Sequence, residues 1–528
     1  MKLLRLVVLA LLTSSHVGLW TTPLLAREND TNDDDINSYL KRFDEHPAEA
    51  MKETPKRWDG QGRPVKPAID LRFPQTDIES GAAIKAKDDF RAKMCARVNG
   101  KMHCLGKHSA LENYSVIDGN DLPEDLVDVR EPVRSIKVMD SRGLWSAALS
   151  INPWSSSYWP LYKGGIGARY ADHDFPFGED WLKNYDYILK YPAVQIIQSN
   201  DINKIDLLSP SEKYEMLIGT SSSILTSHIW QMGKEFYKSN GYVEKWLGIC
   251  DGWAQAAMML PRPQKTLTLR AADEKNSILF YPSDIKALAS YLWFKGQTFA
   301  RFIGGRCTPK DPSSDENGRI IAQECFDTNP GAWHVAVVNQ IGIARRSFLL
   351  DATYDYEVWN QPAFSYKYTY FNPRTKKKVN KLEEAWVPIG HFIEDKFRSY
   401  RSVDAIAIVG IVMNFTYLIE TRPNHSKIDS PEKDEFFTVQ YYYDVEVDSS
   451  NNIIGGEWYN NNHPDFLWVP VAGTHARSIS EDEAVGTWMS PDTVLPLSWQ
   501  SAAIHAAKKH QALGKIIEKI VEWATPLH

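Results

Sequence analysis

The sequence predicts an α+β fold, and three observations carry that expectation. Capped, apolar helices occupy the middle of the chain, strands with alternating polarity dominate its later part, and a single cysteine stands at the first turn of one of the helices. The expected core sets the N-terminus of that helix, at Cys250, against an antiparallel sheet that carries His334 and Asp351.

In chain order, residues 1–26 read as a signal peptide. A basic start is followed by the short apolar run Leu6-Val-Val-Leu-Ala-Leu-Leu12 and a small residue, Ala26, before a polar segment. That predicts export, to the periplasm, the cell surface or the medium. Residues 27–85 are Asp/Asn-rich and Pro-punctuated, with one short helix near Ile36–Phe43, and are expected to form a polar linker or pro-segment. Residues 86–480 form the expected catalytic domain, and residues 481–528 a C-terminal helical extension with one helix from about Ser498 to Trp523.

Five cysteines in an exported chain leave one over if the others pair. Cys95 and Cys104 flank Asn99-Gly100, the signature of a two-residue hairpin turn. Counting outward sets Cys95 opposite Cys104, close enough for a disulfide. Cys307 and Cys325 bracket a polar loop and make the second expected bridge, so Cys250 remains as the free thiol.

Two helices announce themselves by their first turns: Leu208–Ile218, opened by Ser209-Pro210 with Glu212 behind, and Tyr281–Trp293, opened by Tyr281-Pro-Ser-Asp284. The segment Cys250-Asp-Gly-Trp-Ala-Gln-Ala-Ala-Met-Met-Leu260 reads as a third, closed by Pro261. A thiol in a first turn faces unsatisfied N–H groups and the positive end of the helix dipole, which favour the thiolate. An imidazole then pairs with the thiolate, and a carboxylate fixes its tautomer.

His334 and Asp351 are the expected partners. Val335–Ile341 and Ala344–Leu350 are strand-like, and Gly342-Ile343 between them suits a type II′ turn. In that register residue 334 faces residue 351. Further strands are expected at Ala405–Met413 and at Phe437–Val447; the latter returns through the Asp448-Ser-Ser-Asn-Asn452 turn into Ile453–Tyr459. That turn reads as an Asx turn rather than a calcium loop, since its spacing is not that of an EF-hand.

Net charge is −7, which gives no reason to expect a nucleic-acid partner, and no later stretch is long and apolar enough to span a bilayer. No HExxH or CxxC metal motif occurs, so no metal site is expected. The covalent step needs no cofactor, and calcium dependence stays open.

Gly248-Ile-Cys-Asp-Gly-Trp-Ala254, Met259-Leu-Pro-Arg-Pro263, Asn329-Pro-Gly-Ala-Trp-His334, Asn339-Gln-Ile-Gly342, Asp355-Tyr-Glu-Val-Trp-Asn-Gln-Pro362, Gly455-Gly-Glu-Trp-Tyr459 and His463-Pro-Asp-Phe-Leu-Trp468 resemble the transglutaminase elicitor family. The likeness runs from about Leu144 to Pro470. It implies a papain-like, transglutaminase-like core and a secreted protein-glutamine γ-glutamyltransferase with a Cys250–His334–Asp351 triad. Its substrates would be proteins bearing Gln, with Lys or small primary amines as acceptors. Asp251 and Gln255 depart from the family's usual His and Pro, and the match to the elicitor peptide stops at Pro362. An oxyanion site is expected from the Cys250 N–H and an indole N–H of Trp253 or Trp333, with Trp359 a further wall of a substrate channel. The same three residues would serve a secreted papain-like cysteine protease or amidase, and a non-catalytic adhesin or elicitor is the alternative of a different class.

Overall fold

The computed structural model describes residues 33–65, the backbone of 95–98 and 101–104, residues 116–117, and 121–526 apart from 221, 308, 310, 323–324, 326–327 and 354–356. The signal peptide and the greater part of the 27–85 segment lie outside the described residues.

Long strands whose every second residue is apolar or aromatic build the centre of the molecule. Ala407–Ile419 pairs antiparallel with Glu435–Val447 without interruption, from Ala407 opposite Val447 to Ile419 opposite Glu435, and with Asn360–Asn372 through a register shift between Thr416 and Tyr417. The sheet runs in the order Arg57–Asp59, Glu435–Val447, Ala407–Ile419, Asn360–Asn372, Leu349–Asp351, Phe466–Pro470, Ala300–Gly304, with four short strands attached to its long members. Alternation splits its side chains between two layers. Tyr366, Tyr368, Ile411, Met413, Tyr441 and Tyr443 face the helix Pro330–Val337. Phe371, Val412 and Tyr442 face the N-terminal helix Asp33–Glu45.

Within the 27–85 segment, expected to be a polar linker or pro-segment with a short helix near Ile36–Phe43, the helix is present and docks on the sheet. Ile36, Tyr39, Leu40 and Phe43 occur at helical spacing, are buried, and seat on the outer sheet face, where Tyr39 stacks on Tyr442 at 4.2 Å. A segment that is polar on average still carries one apolar stripe, and that stripe is what packs.

Beside the sheet lies a helical layer of Pro210–Ile218, Ile224–Asn240, Cys250–Met259, Pro282–Lys295 and the C-terminal helices. Ser209 and Glu212 close a full capping box at the first of these, as the sequence indicates. A buried Lys213–Asp284 ion pair of 2.8 Å joins it to Pro282–Lys295. The C-terminal extension packs on this layer as two helices, Leu497–Lys508 and Gly514–Ala524, not one. The break falls where His510 takes a left-handed backbone (φ 62°) and Glu481 accepts the N–H groups of Gly514 and Lys515.

The strand pair expected over 335–350 does not form. Pro330–Val337 is an α-helix that continues as a wider turn over Val338–Ile343, and only Leu349–Asp351 is strand. Asn329 caps it by accepting from Gly331 and Ala332, and Pro330 occupies the first helical position. The run is buried on all sides, so its apolar pattern does not separate helix from strand. Gly342 serves packing rather than a hairpin turn, since a Cβ there would lie 2.5 Å from the Tyr366 hydroxyl.

Candidate active site

Cys250 is the first residue of the helix Cys250–Met259, and it is a free, buried thiol. The N-cap residue, Ile249, offers no side-chain acceptor, so the amides of the first turn are not consumed by a cap. Two glycines let this turn sit deep. A Cβ at Gly248 would lie 2.5 Å from the Tyr158 carbonyl, and one at Gly252 would lie 2.3 Å from the Ser290 carbonyl. The Ile249 amide bonds that same Tyr158 carbonyl at 2.7 Å, which ties the helix start to the Trp154–Tyr162 loop.

The sulfur meets the start of the Asn360–Asn372 strand. Sγ donates to the Val358 carbonyl at 3.7 Å, and the Asn360 carboxamide nitrogen donates to Sγ at 3.5 Å. Asn360 Oδ1 in turn accepts the Trp468 indole N–H at 2.8 Å. Burial, and next the charge of Asp251, push the Cys250 thiol up to about 12, against the opposing hydrogen bonds of Asn360. The thiol is neutral in this arrangement.

Asp351 lies directly opposite Asn360 in the strand pair, on the same face of the sheet. Its Oδ1 accepts from the amides of Trp359 (2.9 Å) and Thr353 (3.3 Å) and from the Thr353 hydroxyl (3.1 Å). Glu420 follows the Ala407–Ile419 strand and accepts from Gln361 Nε2 at 2.8 Å. Burial raises its carboxyl to about 7, and its charge acts on Cys250 and on Tyr158.

His334 is elsewhere. It is fully buried on the helix Pro330–Val337, with Nδ1 2.8 Å from the Tyr443 hydroxyl and its ring 4.8 Å from Tyr368. Burial lowers its pKa to about 3, which keeps the imidazole neutral. Strand alternation fixes the relation to the thiol. Leu349, Phe302, Phe466 and Trp468 point to the side of the thiol helix, whereas Leu350, Ile303, Leu467 and Val469 point to the side of Trp333 and Tyr443. Asp351 and Asn360 share the Leu349 side. The strand pair thus sets Asp351 opposite Asn360, the residue that bonds Cys250, whereas His334 is bonded to Tyr443.

The expected tryptophans divide. Trp253 is fully buried, with its indole N–H given to the Trp154 carbonyl at 3.0 Å, and Trp333 is fully buried against Phe415 and Tyr441. Trp359 flanks the thiol site, its ring 5.1 Å from Tyr158 and its indole bonded to Glu357. Cys307 and Cys325 form the expected disulfide. Cys95 and Cys104 are paired in the expected register, while their side chains lie outside the described residues. Asp448 spends one oxygen on the amides of Ser450 and Asn452, as an Asx turn does. Among the described residues no group of three or more His, Cys, Asp or Glu could hold a metal ion, and no helix is long and apolar enough to cross a membrane.

Asn360, Trp468, Glu420 and Tyr158 are the site residues that sequence reasoning passed over. Asn360 lies within a quoted motif, yet its role depends on a cross-strand register with Asp351 that only the fold supplies.

The fold and site define a mixed helix and antiparallel-sheet chain organised around one buried thiol at a helix N-terminus. The chain belongs to the transglutaminase elicitor family, whose match spans residues 134–485. Among solved structures, the crystal structure of the GP42 transglutaminase from Phytophthora sojae aligns with 72% of this chain and 94% of its own, at 19% identity and a TM-score of 0.44. No curated protein matches the chain significantly.

Proposed function

We propose that this chain is a secreted protein-glutamine γ-glutamyltransferase with Cys250 as its nucleophile. The Cys250 thiolate attacks the side-chain carboxamide of a protein glutamine, ammonia leaves, and a thioester remains. A lysine or small primary amine then displaces the thiol and forms an isopeptide or substituted amide; water in its place yields glutamate. The observation that carries the proposal is the setting of the sulfur: first turn of a helix, with a carboxamide N–H directed at it. Family membership supports the same chemistry.

The proton economy differs from the triad expected of the sequence. His334 is bonded to Tyr443, and Glu420, held by Gln361 and raised by burial to about 7, is the carboxylate whose charge is felt at Cys250. Asp351 holds the Trp359 backbone and hence the Val358–Asn360 segment that covers the sulfur.

One observation favours the non-catalytic elicitor reading: the imidazole expected beside the thiol bonds to Tyr443 instead. Incubation of the purified protein with a labelled primary amine and a glutamine-rich protein separates the readings. Amine incorporation with ammonia release, abolished in Cys250→Ala, supports the transferase. Cleaved peptide bonds without incorporation would indicate a thiol protease, and neither product would leave the elicitor.

A further inference from the structure

We infer that Asn360 is a catalytic residue, whose side-chain carboxamide donates a hydrogen bond that stabilises the Cys250 thiolate beside the one from its backbone N–H, and that Trp468 is the positioning residue that aims the carboxamide. This rests on Cys250 being the nucleophile and adds two residues to its machinery.

The orientation of the Asn360 carboxamide follows from chemistry. An indole N–H donates and never accepts, so the group 2.8 Å from Trp468 Nε1 is the carboxamide oxygen. The NH2 is then left facing Sγ, at 3.5 Å. Both residues are almost fully buried, at 1% exposure each, so neither carboxamide nor indole is turned by solvent. Backbone pairing of Asn360 with Asp351 fixes the strand independently of the side chain. Burial of the amide carries a desolvation cost that a neutral thiol, a weak acceptor, does little to offset. A thiolate offsets it, because hydrogen bonds to an ionised partner are roughly twice as strong as neutral ones. The interaction thus strengthens when the sulfur ionises, which is the property a catalytic donor needs.

The test compares alkylation of Cys250 by iodoacetamide in the native full-length chain, at one pH between 7 and 8, for wild type, Asn360→Leu and Trp468→Phe. At a pH far below the thiol pKa the rate follows the thiolate fraction. Asn360→Leu preserves volume and should slow alkylation about tenfold or more. Trp468→Phe keeps the carboxamide but frees its rotation, and should slow alkylation by a smaller factor while the circular dichroism spectrum stays unchanged. If Asn360→Leu does not fold, Trp468→Phe decides alone. Alkylation at the wild-type rate or faster in folded variants would overturn the assignment. Because this readout requires no acyl transfer, failure of the transferase reading would appear separately, as absent amine incorporation by wild type.

Discussion

Gly252 tests how tightly the fold holds the sulfur in place. Two residues after Cys250, it lies where the thiol helix crosses Pro282–Lys295. An alanine Cβ there would stand 2.3 Å from the Ser290 carbonyl oxygen and 2.6 Å from Phe294 Cβ, whereas ordinary contact begins near 3.4 Å. The obstacle is backbone, which cannot rotate away, so the helices must part by about 1 Å. Overpacking of this kind costs about 3 kcal/mol, and the better helix propensity of alanine returns about 1 kcal/mol, so Gly252→Ala should lose about 2 kcal/mol of stability. The effect on activity is larger in proportion. A misplacement of about 1 Å at the reacting atom costs about 10²-fold in rate. Thermal unfolding and amine incorporation check both, with Gly178→Ala as control, since a Cβ at Gly178 meets nothing within 4 Å. If Gly252→Ala melts at or above wild type and keeps its activity, the close crossing does not set the position of Cys250.

Two further outcomes follow from buried charge. Asp284→Ala strands Lys213, whose side chain is fully buried, and should cost about 3–5 kcal/mol in chemical denaturation; replacing both partners by apolar residues should recover only part of that, since Asp284 also accepts from the Tyr170 hydroxyl and the Tyr281 amide, and a single variant as stable as wild type would refute the pairing. His228 and His510 stack with ring centroids 3.5 Å apart, and burial, then the charge of Lys295, lowers His228 to about 3. The unfolded imidazole titrates near 6.5, so between those values the unfolded chain binds the extra proton; the stabilisation is complete above about pH 6.5 and is lost as pH falls toward 3. The thermal midpoint should therefore decline more steeply with acidification in wild type than in His228→Phe, and parallel declines would remove His228 as the cause.

Where a stretch of sequence carried both a turn signal and a polarity pattern, the fold was legible. Asn99-Gly100 gives the Cys95–Cys104 register, Ser209 with Glu212 gives a helix start, and Asp448 gives the hairpin between Glu435–Val447 and Ile453–Trp458. Pattern failed where burial removed the polar face. Residues 330–342 are buried almost without exception, so Val335–Ile341 reads equally well as either element. The decisive signal there was local and chemical: Asn329 before Pro330, a cap and a first-turn residue. The C-terminal extension was legible as helix, whereas its break was not, because the break depends on Glu481, which lies 33 residues before Gly514.

The candidate site divides along the same line. Cys250 was readable because its chemistry is local, a thiol against the first turn of its own helix. Its partners were not, because they arrive by strand register. Moving one residue along a strand exchanges the two faces of a sheet. The difference between Leu349 and Leu350 is therefore the difference between the side of Cys250 and the side of His334. A hairpin drawn from 334 to 351 sets His334 and Asp351 as neighbours, whereas the observed partner of Asp351 is Asn360. The Val358–Pro362 motif consequently changes meaning. As a sequence it is a family marker, and in the fold it is the cover of the thiol, with Val358 and Asn360 on the sulfur, Trp359 tied to Asp351, and Gln361 holding Glu420. Four successive residues, Val358 and Trp359 just ahead of the strand and Asn360 and Gln361 at its start, reach both carboxylates and the sulfur, some through backbone groups and some through side chains. These contacts fall on one short segment, so substitutions within it should alter the reactivity of Cys250 before they alter the fold.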